Sequence, residues 1–185
     1  MDKFIIKGAK TLKGSLKVEG SKNAALPIIF ATLLIKKGET TITNIPPLRD
    51  IFTAIKVLEY LGAKVNYDID AHVMTVDASY VHQYTAPYEL MRQMRASFLV
   101  LGPILVRMGE AQVSLPGGCV LGSRPVDFII EGFQKLGATV TEKKGYVIAE
   151  AKKLNGGKIY FDRPSHTGTE NILYGAVNAK GKTEI

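Results

Sequence analysis

Tryptophan is absent from the 185-residue sequence and cysteine occurs once, as Cys119. A lone cysteine cannot close an internal disulfide, so the thiol content gives no argument for secretion. Only three histidines occur, His72, His82 and His166. They lack the spacing of metal ligands, so no metal site is expected. The phosphate-cradling and nucleophile motifs G-x-x-x-x-G-K-[ST], G-x-G-x-x-G and G-x-S-x-G are missing too, and no cofactor is expected. Long apolar runs are also lacking. The longest, Ala24 to Ile35, is 12 residues and contains Pro27 and Thr32, too short to cross a bilayer. The opening MDKFIIKGAK has no apolar core or small-residue cleavage site of a secretory signal. No membrane role is expected, and a cytoplasmic location remains.

What is present is ordinary for a folded domain: 46% hydrophobic and 22% charged residues, enough apolar material for a core and too little charge for a disordered chain. The net charge of +7 fits an anionic partner. Lysine pairs at Lys36-Lys37, Lys143-Lys144 and Lys152-Lys153 have no interleaved aromatics, so a nucleic-acid partner is not expected.

A repeat organises the chain. The segments IIFATLLIKKGETTI (28–42), LVLGPILVRMGEAQV (99–113) and NILYGAVNAKGKTEI (171–185) each combine an apolar helical run, a basic residue, a glycine and a short strand. Their glycines are Gly38, Gly109 and Gly181, and a second marker, LGAKV (61–65) and LGATV (136–140), recurs at similar spacing. Helices over 48–61 and 125–136 show an amphipathic stripe, whereas 24–35 and 96–106 are apolar all round and should be buried on all sides. Pro103 should kink or break the latter. Strands are expected over 4–8, 15–20, 39–44, 64–69, 72–78, 112–115, 139–150 and 158–162. The resulting fold class is α/β (α+β): an inside-out α/β barrel of threefold-repeated units, truncated within the third.

Three stretches could carry chemistry. In SLPGGCVLGSRPVDF (114–128), Cys119 sits among glycines and ahead of Arg124, a cation able to lower a thiol's pKa; a small cysteine packed in a turn is the alternative. Arg124 precedes a helix whose first position suits Pro125, so it is placed to clamp an anion at unpaired N–H groups. Asp127 reads as a cap or dipole partner of that helix. In GSKNAALP (20–27), Ser21 is the expected cap, and Lys22 and Asn23 fall in the first turn. A lysine there opposes the helix dipole, which points either to anion binding or to simple exposure. In the next unit MRQMRAS (91–97) places Arg95 at the matching point, and RPSHTGTEN (163–171) brings Arg163 and Ser165 ahead of the third buried helix.

GSKNAALP, MRAS before an LGP helix and SLPGGC followed by G-x-RPVD resemble, in order and spacing, the UDP-N-acetylglucosamine 1-carboxyvinyltransferases, enolpyruvyl transferases of peptidoglycan synthesis. The resemblance runs along the whole chain. It implies two inside-out barrels closing over phosphoenolpyruvate and UDP-N-acetylglucosamine, in chains more than twice this length. Residues 1–20 would then belong to the second domain, and 21–185 would form most of one barrel, incomplete at its C-terminus. Cys119 would be the loop thiol that protonates C3 or forms an adduct, and the group that fosfomycin alkylates. Lys22, Arg95 and Arg124 would neutralise phosphoenolpyruvate. Asn23, Arg124, Pro125, Val126, Asp127, Phe128, Arg163 and Ser165 would hold the sugar nucleotide. The family's base and a further arginine come from the C-terminal half, so the chain alone is expected to be inactive without that half or a complementing chain. The SHTGTEN stretch departs from the SVGAT-type segment of many members. Alternatives are a non-catalytic sugar-nucleotide module, a relative of the aromatic-pathway enolpyruvyl transferase, and an RNA-processing relative of similar fold.

Overall fold

The computed structural model describes residues 3–8, 11–115 and 126–185. In chain order the regular elements are α1 (Lys22–Ala31), β1 (Glu39–Ile42), α2 (Arg49–Leu61), β2 (Lys64–Asp68), β3 (Val73–Asp77), β4 (Thr85–Ala86), α3 (Tyr88–Met91), α4 (Leu101–Met108), β5 (Glu110–Ser114), α5 (Asp127–Lys135), β6 (Thr139–Lys143), β7 (Tyr146–Glu150) and α6 (His166–Val177). Two 3-10 segments adjoin the apolar helices, Thr32–Leu34 after α1 and Arg95–Val100 before α4.

Local chemistry explains the boundaries. Ser21 caps α1, its hydroxyl accepting from the Ala24 N–H at 3.4 Å, and Ser165 caps α6 through Gly168 N–H at 3.1 Å. The repeat glycines Gly38, Gly109 and Gly181 have φ of 93°, 81° and 97°, and the LGA glycines Gly62 and Gly137 have φ of 104° and 91°. Gly62, Gly109 and Gly137 sit at the ends of α2, α4 and α5, and Gly38 and Gly181 lie in the turns that follow their helical segments. All five hold left-handed backbone that a side chain would strain, which is why glycine recurs at these points. Pro103 is the third residue of α4, and the change from 3-10 to α geometry falls just before it. The stretch 139–150 is a hairpin rather than one strand. Lys144 and Gly145 make its turn with φ of 51° and 79°, the primed geometry that suits twisted strands.

Two sheets share one plan. In the first, β3 lies between β1 and β2, antiparallel to both; in the second, β7 lies between β5 and β6 in the same way, and β4 adds in parallel to β5. The third unit carries the start of the same arrangement: Asn155 bridges Lys180 and Lys158 bridges Glu184, both in parallel, as β4 does β5. Residues 158–162 therefore form one bridge and not the strand expected of them. The expected strands at 4–8 and 15–20 are not formed by the described residues. Phe4, Ile6, Leu12, Leu16 and Val18 are 79% or more exposed, without a sheet to pair with.

The apolar helices meet at the centre. Leu26, Ile29, Phe30, Leu33, Leu99, Leu101, Ile104, Leu105 and Ile172 are buried, and they join the inner faces of both sheets through Met74, Val76, Val113 and Val147. The amphipathic α2 and α5 cover the outside with Ile51, Val57 and Leu58, and Ile129 and Phe133, turned in. All-round burial does not hold everywhere, because Ile28 on α1 and Leu173 and Val177 on α6 are exposed. No described element packs over those faces. Arg107 ties units together, donating to the carbonyls of Leu33, Ile35 and Ala78, and burial lowers its pKa from the usual guanidinium value. Among the described residues no helix is long and apolar enough to cross a membrane.

Candidate active-site cleft

The starts of the three central helical segments open on one cleft of about 760 Å³. Lys22 and Asn23 come from the first turn of α1, Arg95 from the start of the 3-10 segment ahead of α4, and Ser165 and His166 from the cap and first residue of α6. The threefold repeat thus delivers three basic side chains, Lys22, Arg95 and His166, at equivalent points. Phe128 of α5 and Arg163 complete one wall: the guanidinium lies 5.3 Å from the centre of the Phe128 ring, and Phe128 meets Phe161 edge-on at 5.8 Å. A cation over the face of an aromatic ring is attracted to it, which helps hold Arg163 at this wall.

Unpaired N–H groups at helix starts, with cations beside them, make such a cleft favourable for phosphate and carboxylate groups. A larger hollow of about 960 Å³ lies at the other ends of the helices, around Arg107, Met108, Gly109, Lys152 and Lys153. Helix C-termini lie there, and Arg107 is committed to the carbonyls of Leu33, Ile35 and Ala78, so the hollow does not offer the same set of helix-start N–H groups.

Of the residues singled out from the sequence, Lys22, Asn23, Arg95, Phe128, Arg163 and Ser165 line this cleft. Val126 and Asp127 do not. Val126 is buried at 7% exposure and precedes α5, whereas Asp127 is exposed in its first turn. Cys119, Arg124 and Pro125 lie outside the described residues.

Three cleft residues escaped the sequence reading. Asp50 lies in the first turn of α2 and pairs with Lys22, its Oδ2 2.7 Å from Nζ. In sequence it reads only as part of the polar side of the amphipathic helix over 48–61. Gln93, four residues past Glu89, bonds to that residue's carbonyl at 2.9 Å. Glu170 follows His166 by one turn of α6; burial raises its carboxyl pKa, and the neighbouring His166 opposes that shift. Glu170 in turn adds to burial in raising the pKa of Tyr174, whose hydroxyl donates to the Pro27 carbonyl at 2.8 Å. Helical spacing of His166 and Glu170 was the one available signal.

The family model of EPSP synthase (3-phosphoshikimate 1-carboxyvinyltransferase) matches residues 6–185. The chain belongs to this family. Similar curated family members are the UDP-N-acetylglucosamine 1-carboxyvinyltransferases of Desulfosudis oleivorans, 50% identical over 185 residues, and of Desulfatibacillum aliphaticivorans, 51% identical over 183 residues. The matches take in 100% and 99% of this chain but 44% and 43% of those proteins, so the chain spans less than half the length of these relatives. Among solved structures, the enolpyruvyl transferase NikO from Streptomyces tendae matches with a TM-score of 0.77 at 20% identity, over 95% of this chain and 41% of that one. EPSP synthase from Acinetobacter baumannii matches at 0.69 and 19% identity, over 95% and 40%. The fold is the α/β fold of these enolpyruvyl transferases, as the repeat had implied.

Proposed function

We propose that this chain supplies the phosphoenolpyruvate-binding part of an enzyme that transfers the enolpyruvyl group to the 3′-hydroxyl of UDP-N-acetylglucosamine, in peptidoglycan synthesis in the cytoplasm. The observation that carries the reading is the convergence of Lys22, Asn23, Arg95, Phe128, Arg163 and Ser165, drawn from three repeat units, on one cleft at helix starts. Identities near 50% to proteins bearing that enzyme name favour this substrate pair over 3-phosphoshikimate.

In the proposed reaction the sugar hydroxyl adds to C2 of phosphoenolpyruvate while C3 takes a proton. C3 then loses a proton and C2 loses phosphate, leaving the enolpyruvyl ether. Lys22 and Arg95 neutralise the phosphate and carboxylate, and preorganised charge of this kind also stabilises the addition intermediate. Arg163, over the Phe128 ring, and Asn23 and Ser165 contact the sugar nucleotide. The roles given to Cys119 as proton donor or nucleophile and to Arg124 and Pro125 rest on the family resemblance. So does the sugar-nucleotide contact given to Val126 and Asp127, which do not line the cleft. Residues 1–20 are assigned to the second domain; among those described, Phe4, Ile6, Leu12, Leu16 and Val18 are exposed. The 185-residue chain by itself binds ligand without turning it over.

Fosfomycin treatment followed by mass spectrometry tests the proposal. Alkylation of Cys119, blocked by phosphoenolpyruvate, together with calorimetric binding of UDP-N-acetylglucosamine in preference to 3-phosphoshikimate, is the expected result. An unreactive Cys119, or preference for 3-phosphoshikimate, overturns it, as does phosphate release by the chain alone for the statement on turnover.

A further inference from the structure

Lys22 is an awkward residue to find where it is. It opens α1, whose first turn contains no acid, and a positive charge at that end opposes the helix dipole. Asp50 resolves that conflict from a different helix. The packing of α1 on α2 sets the Asp50 Oδ2 2.7 Å from Lys22 Nζ, with the two side chains 41% and 28% exposed, and both line the cleft. An anion entering at Lys22 therefore meets an ammonium that already has a counter-ion, and it meets that counter-ion's charge at close range.

We propose that Asp50 is a specificity-determining residue of the cleft: it competes with incoming anions for Lys22. Resting on the reading that Lys22 receives a substrate phosphate, the proposal adds a reason why small free anions do not occupy the site. Inorganic phosphate is too small to engage Lys22 together with the cleft's groups on α5 and α6, so it recovers less of the repulsion from Asp50. A larger substrate recovers that cost through further groups of the cleft. An ammonium has three donors, so a well-held ligand can share Lys22 with Asp50.

A double-mutant cycle on the 185-residue chain tests this, with inorganic phosphate and phosphoenolpyruvate as probes in calorimetry at low ionic strength. Asp50→Asn is expected to tighten inorganic phosphate roughly two- to five-fold, the range of a partly exposed ion pair. The gain disappears in the Lys22→Gln background, Asp50→Glu stays near the unmutated chain, and the preference for phosphoenolpyruvate over phosphate narrows. Unchanged or weaker phosphate binding by Asp50→Asn overturns the proposal, as does the same gain without Lys22, or no phosphate binding by any variant. Should Asp50→Asn fail to fold, the carboxylate carbon resonance of Asp50 in the unmutated chain decides: it moves as phosphate saturates the site, and a static resonance overturns the idea. Loss of UDP-N-acetylglucosamine binding with the Lys22–Asp50 coupling intact would instead remove the proposed reaction and leave this anion filter standing.

Discussion

Asn171 offers a sharp test of how the central helices are held. It is fully buried in α6, 0% exposed, and its Oδ1 accepts from the Gly102 N–H of α4 at 3.1 Å. Its Nδ2 donates to the Thr167 carbonyl at 3.2 Å. Gly102 is the second residue of α4, and the contact is close: a side chain there would put its Cβ 2.9 Å from the Asn171 carbonyl oxygen. Asn171→Ala strands a buried N–H, which costs about 1–3 kcal/mol, and opens a small void worth up to about 1 kcal/mol more. A loss of roughly 1–4 kcal/mol in urea unfolding followed by circular dichroism is therefore expected. Asn171→Leu refills the volume without restoring the acceptor and should still lose about 1–3 kcal/mol. If the leucine variant matches the unmutated chain, or alanine costs less than about 0.5 kcal/mol, the amide is not what joins α4 to α6.

Glycine substitutions separate backbone strain from crowding. Gly38→Ala meets open space at φ +93° and should cost about 1 kcal/mol, whereas Gly62→Ala at φ +104° would also set a Cβ 2.7 Å from the Tyr80 carbonyl oxygen and should cost more than about 2 kcal/mol. Equal losses in the same unfolding assay would show that the Tyr80 carbonyl is not a fixed wall. Glu170 gives a pH signature. Its pKa is raised above the unfolded value by burial, so the folded chain binds the extra proton. The stability this adds is full below about pH 4.3, the unfolded value, and is lost as pH rises through the folded one. Glu170→Gln should remove that decline, gaining on the unmutated chain from weakly acidic to neutral pH; parallel stability curves would refute the assignment.

Much of the fold was legible because its determinants are local. The Gly38, Gly109 and Gly181 series marks left-handed turns at or just beyond helical segments, and Ser21 and Ser165 cap the helices that follow them. Failures came where pairing partners mattered. Alternation at 4–8 and 15–20 signals a strand only if another strand lies alongside, and none of the described residues does. The two-residue β4 and four-residue α3 are too short for periodicity to register.

The cleft divides along the same line. Lys22, Arg95 and the Ser165 cap could be read from the sequence because a cation or cap at the start of an apolar helix is a pattern within one turn of chain. The Lys22–Asp50 pair spans 28 residues, Asn171 reaches Gly102 across 69, and Arg107 reaches Leu33 across 74. Helix, turn and cap follow from interactions among near neighbours, so the sequence by itself determined the repeating unit and its polarity. Desolvation and charge pairing depend on distance through space, so only the packing of the units decided which charges share the cleft, and that Glu170 is driven toward its neutral form.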